Sequence, residues 1–423
     1  MKRNLWVGAA FIALLGALAV GSIVLSKRAV VQAASVMAPR FEVDPLWPKP
    51  LPNHWLLGQT IGVSVDAQDH IWIIHRAGSL EPGERHATTN PPTAQCCAPA
   101  PPVLEYDQAG NLLRHWGGPG GGYDWPDSNH GITIDYKGNV WIGGNGRGPQ
   151  PAAGRGGRGK AESDDEGQQG NTFQSFADNM VLKFTQDGKF LMQIGKPSSS
   201  KGSNDIDNLR LPAKTFVDPK TNELYVADGY GNHRVIVYDA DTGKYKRHWG
   251  AYGHKPDDTN LGPYKPDGPP PQQFRNPVHC VELSGDGLLY VCDRQNDRIQ
   301  VFKPDGTFVK EGFINKETLG SGSAWDIAFS KDPMQKYIYL TDGENNKVHV
   351  LERQTLEVLT SFGDGGRQPG EFYGAHSIAV DSHGNIYTGE TYRGQRVQKF
   401  VYKGLAAVTK KDQGVVWPKV AAK

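Results

Sequence analysis

The chemistry most legible in this chain belongs to three histidines. His130, His279 and His376 each stand just before an apolar, alternating run, at one and the same offset in the second, fourth and sixth copies of a repeated unit. In a closed ring of six units, alternate members lie about 120° apart, so side chains that open their innermost strands converge on the ring axis. Three converging neutral imidazoles with an open fourth position match a catalytic type of zinc site; copper, iron and manganese are the other ions such a donor set can take. With only 13 histidines in 423 residues, three matched positions are poorly explained by composition. The plain alternative is three histidines hydrogen-bonding to backbone in a polar channel.

The units that must position them are read from self-similarity. GITIDYKGNVWIG from Gly131, CVELSGDGLLYVCD from Cys280 and SIAVDSHGNIYTGE from Ser377 share an alternating strand, a turn and a second strand. Alternation at period 2, broken by Asp-Gly or Gly-Asn pairs, reads as hairpins. Six copies predict an all-β fold, a six-bladed β-propeller. The sixth copy ends at RVQKFVYKG without a fourth strand, while His54-Trp55-Leu56-Leu57-Gly58, upstream of the first copy, has a fourth-strand ending. That N-terminal strand, around 54–58, is expected to complete the last blade and close the ring, which protects the strand edges. The sequence resembles the NHL-repeat propellers over residues 41–405, leaving 1–35 as a targeting segment and 406–423 as a C-terminal tail.

Composition agrees with this organisation. The 52 glycines, 29 prolines and 10% aromatic residues suit one large turn-rich β domain. A net charge of +1 gives no reason to expect nucleic acid or an anionic surface as a partner; the partner expected at the histidine site is a small-molecule or peptide substrate. Arg155-Gly156-Gly157-Arg158-Gly159 looks like an RNA-binding tract, but Glu162, Asp164, Asp165 and Glu166 follow it and a flexible loop is expected. At the N-terminus Lys2 and Arg3 precede an apolar run over 5–25, followed by Lys27, Arg28 and the triplet Val31-Gln32-Ala33. It reads as an uncleaved transmembrane anchor or a cleaved signal peptide. Either reading exports the propeller, to a periplasm in the bacterial case, and the only membrane contact expected is through this segment.

Export makes the four cysteines candidates for oxidation. Cys280 and Cys292 each lie six residues from Asp286 in a hairpin, which sets them opposite one another for a cross-strand disulfide or for two buried thiols. Cys96 and Cys97 are adjacent and could be bonded or free. The longer insertions, 76–102, 144–178 and 251–277, are expected on the face where the histidines open, and loops elaborated around one mouth of a rigid scaffold mark a site.

Within the propellers, the chain resembles the peptidyl-α-hydroxyglycine α-amidating lyases. The likeness rests on His130-Gly131, on His279 (followed by Cys280 where the family has Ser), on His376, on His75-Arg76, on the run Tyr225 to Asn232, and on Cys292-Asp293-Arg294 with Arg298-Ile299-Gln300. It implies a metal-dependent carbon–nitrogen lyase that cleaves an α-hydroxyglycine to an amide and glyoxylate. It also implies a zinc site at His130, His279 and His376, with catalytic roles for Tyr230, Arg76 and Arg294. Tyr230 would handle the hydroxyl proton, and either arginine would grip the carboxylate in a bidentate manner. The plainer reading of Tyr230, Arg76 and Arg294 is as turn caps, and His75 is as well suited to a structural role as to the site.

Besides Cys280, two further positions depart from the family. Gly374 replaces a methionine that lines its metal pocket. Ser377 replaces an aspartate of a calcium site, so calcium is not expected here. Two other functions fit the same scaffold: a non-catalytic propeller that binds a peptide, glycan or protein on the histidine face, and a lactonase- or esterase-type hydrolase.

Overall fold

The computed structural model of the chain describes residues 36–148 and 176–418. Its strands build six four-stranded sheets, the blades of a propeller. The innermost strands are Gln59–Val65, Asn129–Ile134, Lys214–Val217, Val278–Leu283, Asp326–Phe329 and Ala375–Val380. Each begins its blade next to the axis, and the chain then works outward.

In the first, second and sixth blades an aspartate explains why the turn forms where it does. In the second blade Asp135 accepts from the backbone N–H of Lys137 and Asn139 and from the Trp141 indole N–H, all at 2.8–2.9 Å. Gly138 takes a φ of 79° to complete the turn. Asp66 does the same for Gln68, His70 and Trp72, and Asp381 for His383, Asn385 and the Tyr387 hydroxyl. A short carboxylate that gathers local backbone donors competes with a continuing strand and so fixes the reversal. Between blades the strands bury their apolar alternates. Trp72, Trp125, Ile132 and Phe184 form one such cluster, each large side chain contributing roughly 2 kcal/mol.

An N-terminal strand closes the ring as expected, but it is not the 54–58 segment. The fourth strand of the sixth blade is Met37–Asp44, antiparallel to Arg396–Ala407 with Phe41 opposite Tyr402 and Val43 opposite Phe400. Trp55–Leu56 instead makes two residues of parallel pairing with Ala98–Pro99. The physical reason is local. Asn53 and His54 hold φ of 57° and 55°, so the chain turns just before Trp55 and leaves too little extended backbone for an edge strand. Met37–Asp44 offers eight extended residues, with Ala38, Phe41 and Val43 buried.

After the last strand the chain folds back over the fifth blade. Ser361 donates its N–H to the Lys411 carbonyl, Gly363 to Gly414, and Val43 to Val416, at 2.7–2.9 Å. Of the insertions, 76–102 carries three short 3-10 turns, and 251–277 is held where the Tyr264 hydroxyl donates to the Lys316 carbonyl at 3.0 Å. The expected span at 5–25, the triplet ending at Ala33 and the 155–159 tract lie outside the described residues. Among those described, no helix is long and apolar enough to cross a membrane.

Candidate metal centre

Each histidine is the second residue of its innermost strand, at a point where strand pairing slips by one residue. Val278 pairs with Asp293 and Cys280 with Cys292, so His279 is the extra residue of a bulge. Ala375 pairs with Glu390 and Ser377 with Gly389, so His376 is likewise extra. In the second blade the slip falls on Gly131, immediately after His130. Bulges re-aim side chains, and these send three rings to one place. Gly131 has a φ of 68°, and a Cβ there would lie 2.3 Å from the Ala213 carbonyl oxygen, so only glycine fits beside His130.

The three rings meet with centroids 5.1, 4.8 and 4.7 Å apart, and one nitrogen from each lies within 4.8 Å of the others. All three residues are 1–2% exposed. The Nδ1–H of His130 donates to the Ala213 carbonyl at 2.9 Å, and that of His279 to the Trp325 carbonyl at 2.6 Å. Ala213 and Trp325 hold the histidine offset in the third and fifth blades, so these two imidazoles are oriented by the next blade round the ring. With Nδ1 as donor, Nε2 is the basic nitrogen.

The Tyr230 hydroxyl lies 3.1 Å from Nε2 of both His130 and His279. Arg294 donates to the same hydroxyl from Nη1 at 3.2 Å, and its guanidinium lies 4.3 Å from the centre of the Trp325 ring. Glycine again permits the approach: a Cβ on Gly229 would stand 2.1 Å from the Val278 nitrogen. The loop that bears Tyr230 can therefore lie against the strand that bears His279.

These loops join the second and third strands of their blades, and each is closed by an acid–base pair across its ends. Asp228 meets Arg234 and Asp293 meets Arg298 at 2.8 Å, Asp342 meets His349 at 3.0 Å, and Glu390 meets Arg396 at 2.6 Å. Tyr230 and Arg294 sit between the members of the first two pairs. Burial pushes the Asp293 carboxyl upward against the opposing pull of Arg298 and Asn296. The repeated acid and base were legible in the sequence as spaced letters, but not their joint role as the frame of the site.

Arg76 is fully buried in the seam between the first two blades. It donates to Gln59 Oε1 at 2.7 Å, Asn145 Oδ1 at 2.9 Å and the carbonyl of Asn129, the residue before His130, at 3.3 Å. It thus braces the start of the His130 strand. His75 is structural: its Nδ1 accepts from the Gly58 N–H and its Nε2 donates to the Pro101 carbonyl, both at 3.0 Å. Burial lowers the His75 pKa to about 4.

Cys280 and Cys292 are disulfide-bonded across the hairpin, directly after His279 in the chain, and Cys96 is bonded to Cys97. A second cluster, Asp66, His70 and Glu105, also lies within ligand distance. Its histidine already pairs with Glu105 at 2.7 Å, and Asp66 is the first-blade turn aspartate, so the cluster reads as part of the hairpin. Sequence reasoning missed Trp325; its signal was the histidine offset read in the fifth copy.

The donor set suits a transition ion. His130 and His279 commit Nδ1 to carbonyls and so keep Nε2 basic, His376 brings a third ring nitrogen to the same place, and one phenol proton cannot serve two of them at once. Calcium, which takes six to eight oxygen ligands, does not match.

No protein-family model matches the chain. Peptidyl-glycine alpha-amidating monooxygenase A of Xenopus laevis is 36% identical over 270 residues, 62% of this chain and 23% of that protein. NHL repeat-containing protein 3 of Mus musculus is 26% identical over 330 residues, 76% of this chain and 70% of that protein. Peptidyl-alpha-hydroxyglycine alpha-amidating lyase 1 of Drosophila melanogaster is 23% identical over 387 residues, 85% of this chain and 59% of that protein. The chain spans about a quarter of the length of the Xenopus monooxygenases it matches. It is a six-bladed β-propeller whose homologues include NHL repeat-containing protein 3 and the peptidylglycine amidating enzymes.

Proposed function

We propose that the chain is a metal-dependent carbon–nitrogen lyase, acting on an α-hydroxyglycine-like group to release an amide and glyoxylate, with zinc as the first choice of metal. One observation carries this reading: a phenol hydroxyl stands 3.1 Å from two imidazoles of a buried histidine triad and 3.2 Å from a guanidinium. His130, His279 and His376 would hold the ion, which supplies Lewis acidity toward a hydroxyl or carboxylate oxygen when bound.

The chain's own residues do the rest. In the reaction the hydroxyl of the α-hydroxyglycine loses its proton and its C–O bond becomes C=O. The C–N bond breaks with its electron pair going to nitrogen, which takes up a proton and leaves as the amide. Tyr230 acts as its phenolate, with Arg294 balancing that charge beforehand; it accepts the hydroxyl proton and passes it to the departing nitrogen, which leaves Tyr230 ready for the next turn. Arg294 is the guanidinium suited to the carboxylate of the substrate and of glyoxylate, while Arg76 acts through the strand start that it braces. Burial of all these groups strengthens each electrostatic contact. Two disulfides among the described residues support an oxidising compartment, and with it the exported location.

The test is glyoxylate release from an N-acyl-α-hydroxyglycine by zinc-loaded protein, with the amide measured in parallel. Equal yields, abolished in His130→Ala and reduced about 100-fold or more in Tyr230→Phe, support the assignment. Tightly held metal without glyoxylate rejects the lyase and leaves a metal-bearing binding platform.

A further inference from the structure

The position that holds a histidine in the even blades holds Ile61, Ala213 and Trp325 in the odd ones. Trp325 differs from the other two in size and in what it touches. It is fully buried, and its indole N–H donates to the Gly322 carbonyl at 2.6 Å, which fixes the ring plane. The face of that ring receives the Arg294 guanidinium at 4.3 Å, and its centroid lies 5.6 Å from the His376 ring and 5.9 Å from the His279 ring. Its backbone carbonyl takes the Nδ1–H of His279.

We propose that Trp325 is a positioning residue for Arg294, holding the guanidinium by cation–π stacking so that Nη1 stays on the Tyr230 hydroxyl. Arginine has several rotatable bonds, and a fixed aromatic face in a buried site removes much of that freedom. Because the orientation of His279 comes from the Trp325 backbone, the two duties of this residue separate on substitution. Trp325→Leu deletes the ring and keeps the carbonyl.

This inference rests on the lyase reading, and its test is chosen so that the two fail separately. In 15N-arginine-labelled protein, the Arg294 Nε–H resonance, assigned with Arg294→Lys, carries the ring-current shift of the indole. It should move downfield in Trp325→Leu and remain largely in place in Trp325→Phe. In the glyoxylate assay, Trp325→Leu should keep its bound metal while kcat falls roughly 10- to 100-fold. KM should rise as well, because Arg294 also meets the substrate carboxylate, and Trp325→Phe should recover most of both. An unmoved Arg294 resonance, an unchanged kcat in a lyase-active protein, or loss of metal from Trp325→Leu as complete as from His279→Ala would overturn the proposal. A shifted resonance in a protein that never yields glyoxylate would sink the lyase reading while upholding the stacking.

Discussion

Asp228 and Arg234 form a 2.8 Å ion pair with both side chains wholly buried, and the turn between them carries Tyr230. Arg234 also donates to the carbonyls of Ser203 and Asn208, each at 2.9 Å, and to that of Asp205 at 2.5 Å. The pair therefore ties the tyrosine loop to the link that enters its own blade. The same device, one blade on, frames Arg294.

Removing one member of such a pair strands a buried charge. Asp228→Ala should cost about 3–5 kcal/mol in urea unfolding, whereas a double replacement by apolar residues of similar volume should cost clearly less. Equal losses in the single and double variants would show that the frame does not depend on charge pairing.

His75 sets a pH dependence with a definite sign. In the unfolded chain its imidazole takes a proton near 6.5, and in the folded protein only near 4. Between those values the unfolded chain binds more protons, so the stability that neutral His75 contributes is complete above about pH 6.5 and lost as pH falls toward 4, roughly 3 kcal/mol in all. Burial raises Asp178 to about 7, which acts in the opposite direction because its contribution fades as pH rises from 3.8 toward 7. The comparison is therefore between proteins: His75→Gln, which can both accept from Gly58 and donate to Pro101, should flatten the loss between pH 6.5 and 4. Parallel curves for the two proteins would refute the assignment.

The Cys280–Cys292 bond closes a hairpin with a sequence separation of 12. A loop of that length predicts about 3 kcal/mol of stabilisation. Cys280→Ser with Cys292→Ser should show that loss in chemical denaturation, and a reductant should then have little further effect at this hairpin. Because His279 immediately precedes Cys280, metal affinity should also weaken in the double variant.

Much of this was legible in the sequence because repetition turns spacing into geometry. The histidine offset needed only six units in a ring to become a triad, and Cys280 met Cys292 because hairpin pairing is local. The closing strand was misread because His54 to Gly58 imitates a fourth-strand ending. What disqualifies it is the left-handed backbone at Asn53 and His54, which letters alone do not display. Trp325 escaped notice for a related reason: an apolar residue at a strand start looks like core until the arginine of a neighbouring blade is seen to rest on its face. The bracing of Arg76 by Gln59, Asn129 and Asn145 joins residues far apart in the chain, and no local pattern announces it.

The central claim is that His130, His279 and His376 hold one metal ion, and elemental analysis tests it most directly. Protein loaded with zinc and then dialysed free of excess should retain about one ion per chain, and His376→Ala, treated alike, should retain far less. Equal retention in both proteins, or no retained ion in the unaltered chain, would contradict the account.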